Sequence, residues 1–162
     1  MVSSKTTKTA DSLVHEVGVS RSAERLPGEP DEGQLSRWLE FVLDRLNRQP
    51  SEVSVRIVDE QEITSLNAQY RGLEKATNVL SFPAGISVDE VEVLGDIVIC
   101  SKVVKLESDQ YGRGFTDRYA HMLIHGLLHL LGYDHMEEAP RIRMEQLETD
   151  LLLRLGMGNP YE

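Results

Sequence analysis

The sequence predicts an α+β fold: a single domain in which a small mixed β-sheet is packed with helices. Three observations carry that reading. A length of 162 residues fits one domain of roughly 100–200 residues. The apolar period switches repeatedly between about 3.6 and 2 along the chain. No repeat, low-complexity block or linker divides it, so residues 12–162 are assigned to the domain and residues 1–11, rich in Ser, Thr and Lys, to a disordered tail.

The elements follow in order. Leu13 to Val19 has apolar side chains at Leu13, Val14, Val17 and Val19 and predicts a first strand, and Arg21–Pro30, with two Pro and a Gly, predicts a loop. From Asp31 the period becomes helical, since Leu35, Trp38, Leu39, Val42, Leu43 and Leu46 share one face. Val53, Val55 and Ile57 alternate with polar residues as in a half-buried strand. Asp59 and Glu62 form a helix-starting box ahead of Ile63, Leu66 and Tyr70. After the connector Arg71–Asn78, a short strand Val79–Phe82 is expected to stop at Pro83. Leu94–Cys100 is a continuous apolar run, the pattern of a strand covered on both faces. Ser101–Gln110 reads as a helix broken by Gly112 and Gly114. Thr116 or Asp117 caps a helix Arg118–Leu131 that Gly132 ends, and a last helix runs from about Pro140 to Leu155, with Met144, Leu147, Leu151 and Leu155 as its core face.

Composition narrows the function. With 17 Lys plus Arg against 27 Asp plus Glu, the net charge is −10. The pI near 5.0 excludes nucleic-acid binding by bulk electrostatics. An RNA partner must therefore be gripped at a local site. No apolar run approaches the ~20 residues of a membrane span. Met1–Ala10 lacks the apolar block of a secretory signal, which predicts a cytoplasmic protein without membrane contact. The single Cys100 cannot form an internal disulfide and reads as a small buried residue.

The segment that carries chemistry is His121-Met-Leu-Ile-His125-Gly-Leu-Leu-His129-Leu-Leu-Gly132-Tyr-Asp-His135. Positions four apart share a helix face, so His125 and His129 point two imidazoles at one ion. Gly132 lets the chain reverse and return His135 to the same point. Three His nitrogens with an open fourth position are a catalytic Zn²⁺ arrangement, whereas structural sites close with four ligands, mostly Cys. The spacing matches the zinc ligands of metzincin peptidases, so the fold is expected to include a zincin-like metal-binding helix. It departs where those enzymes carry a Glu general base, because Gly126 follows the first ligand. A buried-core role for these histidines would require a polar partner for each ring, and the ligand register favours the metal. His121, one turn farther along the stripe, is a candidate second-layer or substrate contact, or else a core histidine. Asp134 and Asp96 are candidates to orient ligand imidazoles, or have loop and turn roles.

These residues also carry a family resemblance. The run His125–His135 resembles the signature of the YbeY family of bacterial metal-dependent endoribonucleases. So, in the same order, do Leu66-Asn-Ala-Gln-Tyr70-Arg71-Gly, Thr77-Asn78-Val-Leu-Ser81-Phe82-Pro83, Leu94-Gly-Asp96-Ile-Val-Ile99 and the closing Leu155-Gly-Met-Gly-Asn-Pro160-Tyr161. The resemblance runs from about Gln34 to the C-terminus. It implies a cytoplasmic, single-strand-specific RNA hydrolase acting in 3′-end maturation of small-subunit (16S) ribosomal RNA and in ribosome quality control. Its partners would be single-stranded rRNA and the ribosome or ribosomal proteins, and the chain is expected to be a monomer. The family's zinc ligands map onto His125, His129 and His135, and its functional arginine onto Arg71.

On residues alone, Arg71 is either a fork for phosphate oxygens or a solvated cation at a helix end. Arg71 and His125 are the candidate catalytic residues. Arg71, Lys75 and Ser81 are candidate substrate contacts. One Zn²⁺ is expected, although an imidazole set suits other divalent transition metals too. Two further readings stay open: a metallopeptidase-like hydrolase, and a non-catalytic ribosome assembly factor with a structural metal.

Overall fold

The computed structural model describes residues 15–133 and 136–162. Four strands, β1 (His15–Arg21), β2 (Ser51–Ile57), β3 (Val79–Val88) and β4 (Val91–Ile99), form one sheet in the order β1-β2-β4-β3. Strands β1, β2 and β4 run parallel, and β3 pairs antiparallel with β4. Among the described residues five helices surround it: α1 (Glu32–Arg45), α2 (Glu60–Arg71), α3 (Ser101–Tyr111), α4 (Phe115–Leu130) and α5 (Glu138–Arg154). This is the mixed-sheet α+β domain that the alternating periods predict. The expected tail over residues 1–11 and the start of the first strand, at Leu13 and Val14, lie outside the described residues.

The two faces of the sheet are unequal. On one face Val53, Val55, Ile57, Ile97 and Ile99 pack against Leu35, Trp38, Leu39, Val42 and Leu43 of α1, Leu123, Ile124 and Leu127 of α4, and Met144 and Leu151 of α5. On the other, a smaller cluster of Val58, Ile63, Leu80, Val98 and Cys100 seats α2. Local sequence chemistry starts the first two helices. Asp31 accepts from the Gln34 amide at 2.8 Å while the Gln34 side chain accepts from the Asp31 amide at 3.2 Å, a complete capping box. Asp59 caps α2 through the Glu62 amide at 2.8 Å, but the Glu62 side chain turns away to Arg56 and Ser22.

Four boundaries differ from expectation. Strand β3 does not stop at Pro83 but continues to Val88, and β4 begins at Val91 rather than Leu94. Pro83 is tolerated because β3 is an edge strand with β4 as its one partner, and a register shift between Pro83 and Ile86 absorbs the missing N–H. Opposite it lies Gly95 at φ +135°, where a Cβ would stand 2.2 Å from the Phe82 carbonyl oxygen. Asp89 and Glu90, at φ 51° and 68°, close the β3–β4 hairpin as a two-residue turn. Helix α4 begins at Phe115 after Gly114 rather than being capped by Thr116 or Asp117, and α5 begins at Glu138 with Pro140 in its first turn.

Candidate metal centre

Helix α4 is apolar almost all round, so most of it is buried between the sheet and α5. Between His121 and Leu130 only His125 and His129 escape full burial, and these two open onto a cleft. The helix ends as its sequence predicts. Gly132, at φ +96°, donates to His129 O at 3.0 Å, and the Tyr133 amide donates to Leu128 O at 3.0 Å, which turns the chain back immediately after the second histidine.

The His125 and His129 rings lie 4.5 Å apart, and their Nε2 atoms are separated by 3.1 Å. Two nitrogens at the corners of a tetrahedral zinc site, each about 2.0–2.1 Å from the ion, stand about 3.3 Å apart, so the pair fits two ligands of one metal. Behind His125, its Nδ1 sits 2.5 Å from Glu148 Oε2. A carboxylate only accepts, so the proton is on Nδ1 and the Nε2 lone pair faces the cleft. Among the described residues no group of three potential metal ligands is assembled. The third expected ligand, His135, and the neighbouring Asp134 lie outside the described residues.

Glu148, on α5, is completely buried. Its other oxygen, Oε1, lies 3.3 Å from His121 Nε2 and accepts from the Tyr161 hydroxyl, which is itself 3.2 Å from His121 Nε2. Burial pushes the Glu148 carboxyl upward, but the hydrogen bonds from His121, His125 and Tyr161 outweigh it and hold the group at about 2. The Tyr161 hydroxyl is pushed up by burial and then by Glu148. His121 therefore does not join the His125–His129 pair. Its ring is 6.3 Å from that of His125 and belongs to the Glu148 network. Sequence reasoning missed Glu148, although a signal was present. The residue falls four after Met144 and three before Leu151, so a carboxylate occupies the apolar stripe of α5.

The cleft beside the two histidines has a volume of about 490 Å³. Its walls include Tyr70, Arg71, Thr77, Asn78, Ser81, Met122 and Met136, and no carboxylate lines it among the described residues. Arg71, the last residue of α2, is exposed and has no carboxylate partner among the described residues. Beside it Tyr70 is 54% exposed with its ring 4.5 Å from that of Phe82, leaving an aromatic face open to solvent. Ser81 reaches the wall while its hydroxyl donates to Gly126 O at 2.8 Å. Lys75 is exposed in the connector and does not line the cleft. Asp96 is exposed on the sheet face opposite α4, because its neighbour Ile97 points at that helix.

Gly126 sits where the helix touches the hairpin. A Cβ there would stand 3.0 Å from Ile97 Cγ2, 3.2 Å from Val79 Cγ2 and 3.3 Å from Ser81 Oγ. Position 126 thus faces packed sheet. A glutamate in the place the peptidase motif requires would press on Ile97, Val79 and Ser81, the last two being part of the cleft wall.

Comparison with known proteins bears on the fold and the family. The solution structure of TM1509 from Thermotoga maritima superposes with a TM-score of 0.56 at 23% identity, covering 86% of this chain and 91% of that one, and so shares the fold. The family model for endoribonuclease YbeY matches residues 20–156, which contain the last two residues of β1, strands β2 to β4, the Arg71 connector and the histidine helix. The chain accordingly belongs to the YbeY endoribonuclease family.

Proposed function

We propose that the protein is a zinc-dependent, single-strand-specific endoribonuclease that matures the 3′ end of small-subunit ribosomal RNA and serves ribosome quality control in the cytoplasm. It works as a monomer alongside the ribosome or its proteins. The observation that carries this reading is the charge of the cleft. In a chain of net charge −10, the described walls around the converging His125 and His129 hold Arg71 and no carboxylate. Such a site attracts a phosphodiester, whereas the rest of the surface repels bulk nucleic acid.

His125 and His129, with His135, would hold the Zn²⁺, which when bound supplies Lewis acidity that makes water a usable nucleophile near neutral pH. The chain's own residues do the rest. Arg71 offers a planar fork to the phosphoryl oxygens and stabilises charge developing on them. Tyr70 presents a ring on which an unpaired base stacks, which a duplex does not allow, and Ser81 and Asn78 supply polar contacts along the wall. No helix among the described residues is long and apolar enough to cross a membrane.

The test is cleavage of labelled single-stranded and duplex RNA by zinc-loaded protein, with fragments identified by mass spectrometry. Single strands are cut. His129→Ala abolishes cutting, and Arg71→Ala lowers kcat roughly 10²- to 10³-fold, the usual loss when a donor to transition-state charge is removed. Undiminished activity of the His129 variant in nuclease-free preparations overturns the metal mechanism. Peptide turnover without RNA cleavage would favour the metallopeptidase reading, against which Gly126 stands. Rescue of ribosome maturation by a folded, metal-free His variant would favour the non-catalytic assembly factor.

A further inference from the structure

We propose that Glu148 is a positioning residue of the metal centre. It clamps His125 by Nδ1 so that Nε2 faces the ion, while His121 and Tyr161 secure the carboxylate's second oxygen. The inference rests on the metal-site reading above and extends it to residues that never touch metal or substrate.

The geometry points this way for three reasons. Glu148 has no exposed surface, and its neighbours one turn away on α5, Met144 and Leu151, are equally buried and apolar. A leucine would fill that stripe at no electrostatic cost. A buried carboxylate with hydrogen-bond partners seldom stabilises a fold more than such a residue does, so stability alone is a weak reason for its presence. Both carboxylate oxygens are also committed, and in different directions. Oε2 takes His125, the cleft histidine, while Oε1 takes Tyr161 and lies within reach of His121, which faces away from the cleft pair.

Finally, the Glu148–His125 contact joins α4 to α5 directly behind the cleft. It arrives at the ring nitrogen remote from His129, which is the arrangement that fixes both the tautomer and the orientation of a metal-bound imidazole. His121, read from sequence as a second-layer candidate, then acts through Glu148 rather than on the ion or the RNA. Tyr161 gives the C-terminal segment a part in the same support.

The experiment measures Zn²⁺ affinity of the full chain by competition with a chromophoric chelator, and the visible absorption of the Co²⁺-loaded protein. The variants are Glu148→Gln and Tyr161→Phe, with circular dichroism and apo-protein melting as fold controls. Glu148→Gln should weaken Zn²⁺ binding roughly 10- to 100-fold and alter the Co²⁺ spectrum, as loss of a partner behind a ligand histidine does, while still folding. Tyr161→Phe should weaken it several-fold in the same direction. A folded Glu148→Gln protein that binds Zn²⁺ within twofold of wild type, with an unchanged Co²⁺ spectrum, overturns the proposal and leaves the metal site standing. Should Glu148→Gln fail to fold, Tyr161→Phe decides by the same two readouts. Wild-type protein that binds no Zn²⁺ overturns the metal reading itself, and this inference with it.

Discussion

Replacing Gly126 by Glu would restore, letter for letter, the zinc-peptidase spacing that the sequence otherwise carries. The structure predicts that this breaks the fold before it makes a peptidase. Consider first Gly126→Ala. An alanine inside a helix gains up to about 1 kcal/mol over glycine. Here its Cβ would press to 3.0 Å on Ile97 Cγ2 and 3.2 Å on Val79 Cγ2, so α4 must lift from the hairpin. Overpacking of that kind costs about 1–3 kcal/mol, leaving a net loss of up to about 2 kcal/mol. Glutamate keeps the overpacking and adds a carboxylate beside Ile97 and Val79, where the nearby Ser81 hydroxyl already donates to Gly126 O, a burden of about 3–5 kcal/mol. The net cost is at least about 3 kcal/mol, or a fall in Tm of at least about 6–12 °C for a chain of this size. Thermal denaturation followed by circular dichroism measures it, and a quenched-peptide assay with Zn²⁺ runs beside it. A Gly126→Glu protein as stable as wild type, or one that turns over peptide, would show that position 126 opens to the cleft and that the packing argument is wrong.

Two further outcomes follow from the same geometry. Gly95→Ala places a Cβ 2.2 Å from the Phe82 carbonyl oxygen at φ +135°, a backbone region closed to alanine, so it should cost more than about 3 kcal/mol and destabilise the chain more than Gly126→Ala; urea titration ranks the two. Tyr70→Ala should lower affinity for a non-cleavable single-stranded RNA by about 1–3 kcal/mol in fluorescence anisotropy, whereas Tyr70→Phe, which keeps the ring, should bind as wild type does; equal binding by the alanine variant removes Tyr70 from the substrate path.

What could be read from the chain is what is encoded within a turn or a pair of strands. The amphipathic stripe of α1 and its Asp31–Gln34 capping box are local, and so is the i, i+4 relation that brings His125 and His129 together. The left-handed Gly132 that ends their helix belongs to the same class. The site's supporting chemistry is not local. Glu148 reaches His125 across 23 positions, and only the packing of α5 on α4 shows that a carboxylate in an apolar stripe has a partner waiting. Leu94–Cys100 is apolar on both faces, so its sequence has no period to say which side Asp96 takes, and the sheet turns that residue away from α4. Pro83 ends a strand or merely bends one according to whether its N–H side has a neighbour, which depends on strand order. The chain alone therefore determined the local pairing of His125 with His129 on one helix face. Packing decided which side chain stands behind them, because a hydrogen bond between distant segments leaves no period in either one.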